Sequence, residues 1–174
     1  MTSADPTPVL AFGHGLSYTS FARSGLAVAA SEVRAGESFT ATVEVRNTGD
    51  RDGTDVVQLY ARDVQGSVTR PVAQLLGYLR LDLAAGESAR VAFEVPTTRL
   101  AFTDPRYRRI VEPGAVELWV GPSSAVRETE AAIAITGPVH HVTIADERYV
   151  RTSVEPVGAS AGAPAVPERV LEPS

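Results

Sequence analysis

His14 and Ser17 stand three residues apart in LAFGHGLSYTSF, residues 10 to 21, and a histidine base near a serine hydroxyl is the start of a nucleophilic site. The stretch also holds two glycines and three aromatics, on a chain with few aromatics elsewhere. A working serine needs an orienting acid and a sharp strand-to-helix turn, and no G-x-S-x-G elbow occurs here. Gly13 and Gly15 make half of a G-x-G-x-x-G phosphate cradle, but Tyr18 takes the place of the last glycine and no helix follows. Packing is the expected role of the stretch.

Other groupings fare no better as chemistry. His140 and His141 are adjacent, so on a strand they face opposite ways and cannot share a metal. Asp50, Asp52 and Asp55 with Gly49 and Gly53 resemble a calcium loop, but the EF-hand spacing and its closing glutamate are missing. A surface turn is the simpler reading, with a weak calcium site as its alternative. Glycoside cleavage needs two carboxylates facing each other across a sugar. Glu32, Glu37, Glu44, Glu94 and Glu117 all fall in turns or on outward strand positions, where solvation is the default. No residue is assigned to catalysis, to a cofactor or to a metal.

Composition removes whole classes of function. The 174 residues carry a net charge of −5 and no basic stripe, which argues against nucleic acid as a partner. With no cysteine there is no disulfide, thiol nucleophile or thiolate metal site. All 16 basic residues are arginine, so Schiff-base chemistry and a phosphate-loop lysine are absent too. No apolar run is long enough to span a membrane, and MTSADPTPVL lacks the basic head and apolar core of a signal peptide. As written, the chain is expected in the cytoplasm.

The elements that position these residues are strands. In FTATVEVRN, Phe39, Ala41, Val43 and Val45 alternate with Thr40, Thr42, Glu44 and Arg46. SARVAFEVP, YLRLDL, VELWVG and AAIAIT repeat the pattern, placing Val91, Phe93, Leu81, Leu83, Val116, Leu118, Ile133 and Ile135 on inward faces. Turn signals separate them: RAGES, NTGDRDG, AAGES and EPGA. TTRLAFTDP (97 to 105) has room for one helical turn, ended by Pro105. The expected fold class is all-β, an antiparallel β-sandwich of about seven strands. VHHVTIADERYV is expected to supply at most one more strand, and the Pro-, Ala- and Gly-rich segment 154–174 to be disordered.

FGHGLSYTSF, VEVRNTGDRDGTDVVQLYARD, SVTRPVAQLLGYLRLDLAAGES and VEPGAVELWVGPSS occur in that order. Together they resemble the fibronectin type III-like, immunoglobulin-like domain at the C-terminus of glycoside hydrolase family 3 enzymes, the β-glucosidases and β-xylosidases. The resemblance covers about residues 10 to 127, with the last strand running to about 136. It implies that the catalytic aspartate and acid/base belong to preceding domains, so no catalytic residue carries over to this chain. The expectation is a fragment or separately encoded module whose partners are those catalytic domains, in cis or in trans, and whose parent enzyme is open to secretion. The implied organisation is a linker-like 1–9, a linking arm 10–23, the sandwich 24–136, an extension 137–153 and a tail 154–174.

Within that frame Phe12, His14, Leu16, Tyr18 and Phe21 belong to the arm. On TDVVQLYAR, Val57, Leu59 and Ala61 face the core, which leaves Val56, Gln58 and Tyr60 outside. On VELWVG, Trp119 is outside as well. Exposed aromatics on one face mark a docking surface, so Val56, Gln58, Tyr60 and Trp119 with the arm are expected to meet the catalytic domains. Two alternatives stay open: local burial of Trp119, including by the segment from Val142 to Tyr149, and a sugar-binding or protein-binding platform built on Tyr60 and Trp119. The loop from Asp63 to Pro71, with Ser67 and Arg70, is the candidate that would reach toward a substrate entrance.

Overall fold

The computed structural model describes residues 8–64 and 72–157. Ser67 and Arg70 lie outside the described residues. Alternating apolar residues drive the architecture, because each strand must bury one face and can do so only against another sheet. β1 (Phe21–Val28), β3 (Ser38–Asn47), β6 (Ser88–Pro96) and β12 (Arg151–Val157) form an antiparallel sheet in the order β1-β3-β6-β12. β2 (Glu32–Arg34), β4 (Gly53–Asp63), β5 (Gln74–Leu83), β9 (Gly114–Val120) and β10 (Thr129–Thr136) form the second sheet, in the order β2-β10-β9-β4-β5. Its ladders are antiparallel except the short β2–β10 pairing, which is parallel. β7 (Phe102–Thr103), β8 (Arg109–Val111) and β11 (His140–His141) make a small third sheet.

The core lies between the two large sheets. Ala41, Val43, Val45, Val91, Phe93 and Val95 of one pack with Val57, Leu59, Ala61, Leu118, Val120 and Ile133 of the other in a single apolar cluster. These are the inward residues that the alternation assigns, and the all-β sandwich expected from the sequence is the one observed. Both AGES segments are tight turns, with Gly36 at φ 95° and Gly86 at φ 76°, in the left-handed region that favours glycine.

Three expectations along the chain need correction. The helical turn is a single 3₁₀ turn, Thr97–Leu100, and it ends at extended Ala101 rather than at Pro105. The segment from Val139 to Val150 does not form a long strand: only His140 and His141 pair, with Val111 and Ile110. Beyond them the Asp146 carboxylate accepts the N–H and the hydroxyl of Thr143, which closes a turn. The extra strand is β12, which includes residues 154–157 of the expected tail. It pairs with β6 from Arg151 opposite Glu94 to Val157 opposite Ser88. The β6 edge has unpaired backbone groups to satisfy, and a strand can meet that need while most of its side chains stay exposed.

Candidate functional site

β4 and β9 are neighbours, with Tyr60 directly opposite Trp119. Both side chains lie on the face turned away from Val57, Leu59, Leu118 and Val120, as alternation requires. The expectation that this makes them exposed is wrong. Tyr60 is 0% exposed and Trp119 1%, and Gln58 beside them is buried too. Their rings stack on each other, with centroids 5.6 Å apart and planes 15° from parallel. The Arg127 guanidinium carbon sits 4.2 Å from the centre of the Trp119 ring, as a cation–π partner. Arg127 is itself held by Glu130 at 3.0 Å and Glu117 at 3.3 Å. The indole N–H of Trp119 is buried and has no hydrogen-bond partner among the described residues.

The arm supplies the missing cover. Gln58 Nε2 donates to the Gly13 carbonyl at 3.0 Å, and the Ser124 N–H donates to the Phe12 carbonyl at 2.9 Å. The Tyr60 hydroxyl donates to Gln58 Oε1 at 2.6 Å and lies 3.3 Å from the Phe12 carbonyl. Burial pushes the Tyr60 phenol above its ordinary pKa, so it stays a donor. Gly13, at φ 83°, makes this approach possible: a Cβ there would stand 2.2 Å from both Gln58 Oε1 and Tyr60 Oη. A sugar-stacking platform on Tyr60 and Trp119 is excluded, since neither ring is open to a ligand.

A second anchor holds the other end of the arm. Thr19 Oγ1 donates to Asn47 Oδ1 at 2.8 Å, and the Thr48 N–H donates to the Ser20 carbonyl at 2.8 Å. Asn47 is fully buried and spends its amide on the carbonyls of Arg51 and Leu83, so the arm is tied to a satisfied polar hub. Phe21 begins β1 and packs against the core, so the end of the expected arm 10–23 belongs to the sheet. Between the anchors, Leu16 is 95% and Tyr18 96% exposed, and His14 is exposed beside them. Ser17 Oγ accepts the N–H of Thr19 at 3.4 Å. Phe12 keeps its backbone on the aromatic pair while its ring is mostly exposed, and Val56 is partly exposed on the same sheet face.

The residues that sequence reasoning missed are polar. Arg23 of β1 is buried and grips Asp55 of β4 with two hydrogen bonds, while its remaining nitrogen reaches Glu128 at 3.0 Å. Burial opposes the Arg23 charge, and the two carboxylates more than offset it, leaving its pKa raised. Asp55 is thereby a core ion-pair partner rather than part of a calcium loop, and Asp52 instead accepts the N–H of Ala85. Among the described residues no cluster of histidine and carboxylate side chains is arranged to hold a metal.

The family model for the fibronectin type III-like domain matches residues 55–124, the span from β4 through β9 to Ser124. The chain carries a fibronectin type III-like domain. Among curated proteins it is 38% identical over 118 residues to the periplasmic β-glucosidase of Salmonella typhimurium, covering 68% of this chain and 15% of that one. It is 32% identical over 166 residues to thermostable β-glucosidase B of Acetivibrio thermocellus, covering 95% and 22%. A β-glucosidase structure from Erythrobacter marinus superposes with a TM-score of 0.71 at 36% identity, over 78% of this chain and 18% of that one. A β-glucosidase from Listeria innocua, solved with glucose, gives 0.71 at 31%, over 79% and 19%. These matches bear out the resemblance to the fibronectin type III-like domain of family 3 glycosidases. The chain spans about a fifth or less of the length of most of these relatives.

Proposed function

We propose that this fibronectin type III-like domain is a non-catalytic accessory module of a family 3, β-glucosidase-type glycoside hydrolase, and that it braces the catalytic domains through its arm. One observation carries the reading: the arm is pinned at both ends, yet Leu16 and Tyr18 between the pins are almost wholly exposed. A segment held by six hydrogen bonds but offering two large apolar side chains to water is preorganised for a partner. The relatives support a partner lying in the same polypeptide, because each is several times longer than the stretch it shares with this chain.

The aromatic pair has a different part in this account from the one its sequence position suggested. Tyr60 and Trp119 do not meet the partner; they form the floor on which the arm rests. The docking surface moves outward to Phe12, Leu16 and Tyr18, with Val56 at its margin.

A chimera tests the proposal. The corresponding segment of this chain replaces its 118-residue match in the Salmonella periplasmic β-glucosidase. The expected outcome is that the chimera hydrolyses an aryl β-glucoside while the purified chain alone does not. Hydrolysis by the chain alone, above a mock preparation, overturns the proposal.

A further inference from the structure

Away from the arm, a cavity of about 390 Å³ is lined by Gln74, Thr98, Arg99, Arg109, Val142 and Arg148. Among the described lining residues three of the six are arginines and none is acidic. That volume falls within the range of small-molecule sites, roughly 300–1,000 Å³. Arg109 and Arg148 are exposed and Arg99 is half-buried, and three like charges on one concave wall raise the positive potential that an anion would meet there.

The guanidinium groups are unequally committed. Arg99 is braced by the β5 backbone, donating from Nε to the Leu76 carbonyl at 3.2 Å and from Nη2 to that of Leu75 at 3.3 Å. Arg148 donates from Nη2 to the Thr143 carbonyl at 2.9 Å. Arg109 makes no side-chain hydrogen bond or ion pair among the described residues. All three lack a carboxylate partner there, and the acids close by in sequence are engaged. The Glu147 carboxylate accepts the N–H groups of Arg148 and Tyr149 and pairs with Arg151 at 3.3 Å. Asp104 is held by Arg108 at 2.7 Å, and Asp146 by His140 and Thr143.

The polar lining adds acceptors beside these donors. Gln74 Nε2 donates to the Arg99 carbonyl at 2.6 Å, which leaves its Oε1 to accept. The Thr98 hydroxyl donates to the Glu147 carbonyl and keeps its lone pairs.

We propose that this cavity is a binding site for a small oxyanion-bearing ligand, a carboxylate or phosphate held by Arg99, Arg109 and Arg148. Guanidinium forks match the planar oxygens of such groups and bind them by charge-assisted hydrogen bonds. The free oxygens of Gln74 and Thr98 suit hydroxyls on the same molecule. None of the described residues that line this site belongs to the docking arm.

Calorimetric titration of the full chain at low salt, with inorganic phosphate, glucuronate and glucose in separate runs, tests it. Phosphate or glucuronate is expected to bind saturably below about 10 mM, and uncharged glucose is not. Arg109→Ala and Arg148→Gln each weaken that binding by about tenfold or more, while Arg51→Gln, at an exposed turn, leaves it unchanged. Because Arg109 has no side-chain partner among the described residues, Arg109→Ala is expected to keep the wild-type unfolding midpoint, so lost binding is separable from lost folding. Tighter glucuronate than phosphate identifies a sugar-acid carboxylate as the ligand chemistry; the reverse order identifies a phosphate. No saturable binding of either anion, equal binding of glucose, or undiminished binding in both arginine variants overturns the proposal.

Discussion

Tyr60 and Trp119 stack on each other across β4 and β9 on the outer side of their sheet, and the backbone of Phe12 and Gly13 is bonded to the Tyr60 hydroxyl and to Gln58 beside it. The fluorescence of the single tryptophan therefore reports on the seating of the arm. In the intact chain its emission is expected to be blue-shifted and resistant to acrylamide quenching. Gly13→Ala forces a side chain into the space held by Gln58 and Tyr60 and sets a residue with a Cβ at φ 83°. It is expected to cost about 1–3 kcal/mol and to shift the emission to the red. An unshifted spectrum and unchanged stability would contradict this arrangement.

The Arg23–Asp55 pair spans the two sheets at a buried position. Removing one partner strands the other charge, so Asp55→Ala is expected to destabilise the fold by about 3–5 kcal/mol. Replacing both, Arg23→Met with Asp55→Leu, is expected to recover most of that loss, because a well-packed apolar pair avoids desolvating two charges. Glu128→Gln should cost less than Asp55→Ala, since its carboxylate is more exposed than that of Asp55. Urea denaturation of the four proteins measures all three differences.

Asp104 organises the turn between β7 and β8. The N–H of Arg108 holds its carboxyl below the usual carboxylate range, helped by the Arg108 guanidinium and the N–H of Arg106. A depressed folded-state pKa means that this stabilisation is present above the ordinary aspartate pKa and is lost as the pH falls through the folded value. Stability measured from about pH 5 to about pH 2 is thus expected to fall less steeply in Asp104→Asn than in the unsubstituted chain. An Asp104 carboxyl titrating at or above the ordinary value, read by NMR, would contradict the assignment.

Tyr107, in the same turn, has φ 61°, and its side chain is 92% exposed. A non-glycine residue in this region costs about 1–2 kcal/mol, and glycine's extra freedom in the unfolded chain returns part of that. Tyr107→Gly is therefore expected to raise stability by up to about 1 kcal/mol, read as a higher thermal midpoint. A fall in the midpoint would mean that the ring makes a contact absent from the structure.

Strand alternation made the core legible: Val57, Leu59 and Ala61 face inward on β4, as do Val116, Leu118 and Val120 on β9. The same period placed Tyr60 and Trp119 on the outer face, and they are there. What a period of two cannot tell is whether something covers that face: here residues 12 and 13, more than forty positions away in the chain, meet Gln58 and Tyr60, and Arg127 lies over Trp119. Gly13 was the available clue, since a glycine can mark a close backbone approach as well as a turn. Arg23 gave no signal, because its burial depends on Asp55 and Glu128 arriving from β4 and the approach to β10. β12 escaped for a related reason: its side chains are mostly exposed, so it has no apolar stripe, and only the β6 edge that it pairs with shows where it belongs.

The most direct test of the account is the effect of Leu16→Ser with Tyr18→Ser, measured twice. In the isolated chain both side chains already face water, so the unfolding midpoint is expected to stay where it is. In the chimera with the Salmonella β-glucosidase the same pair is expected to lower the midpoint and the yield of active enzyme, each lost apolar contact being worth about 1.5–3 kcal/mol when fully buried. A chimera as stable and active with the serines as without them would show that the arm touches no partner.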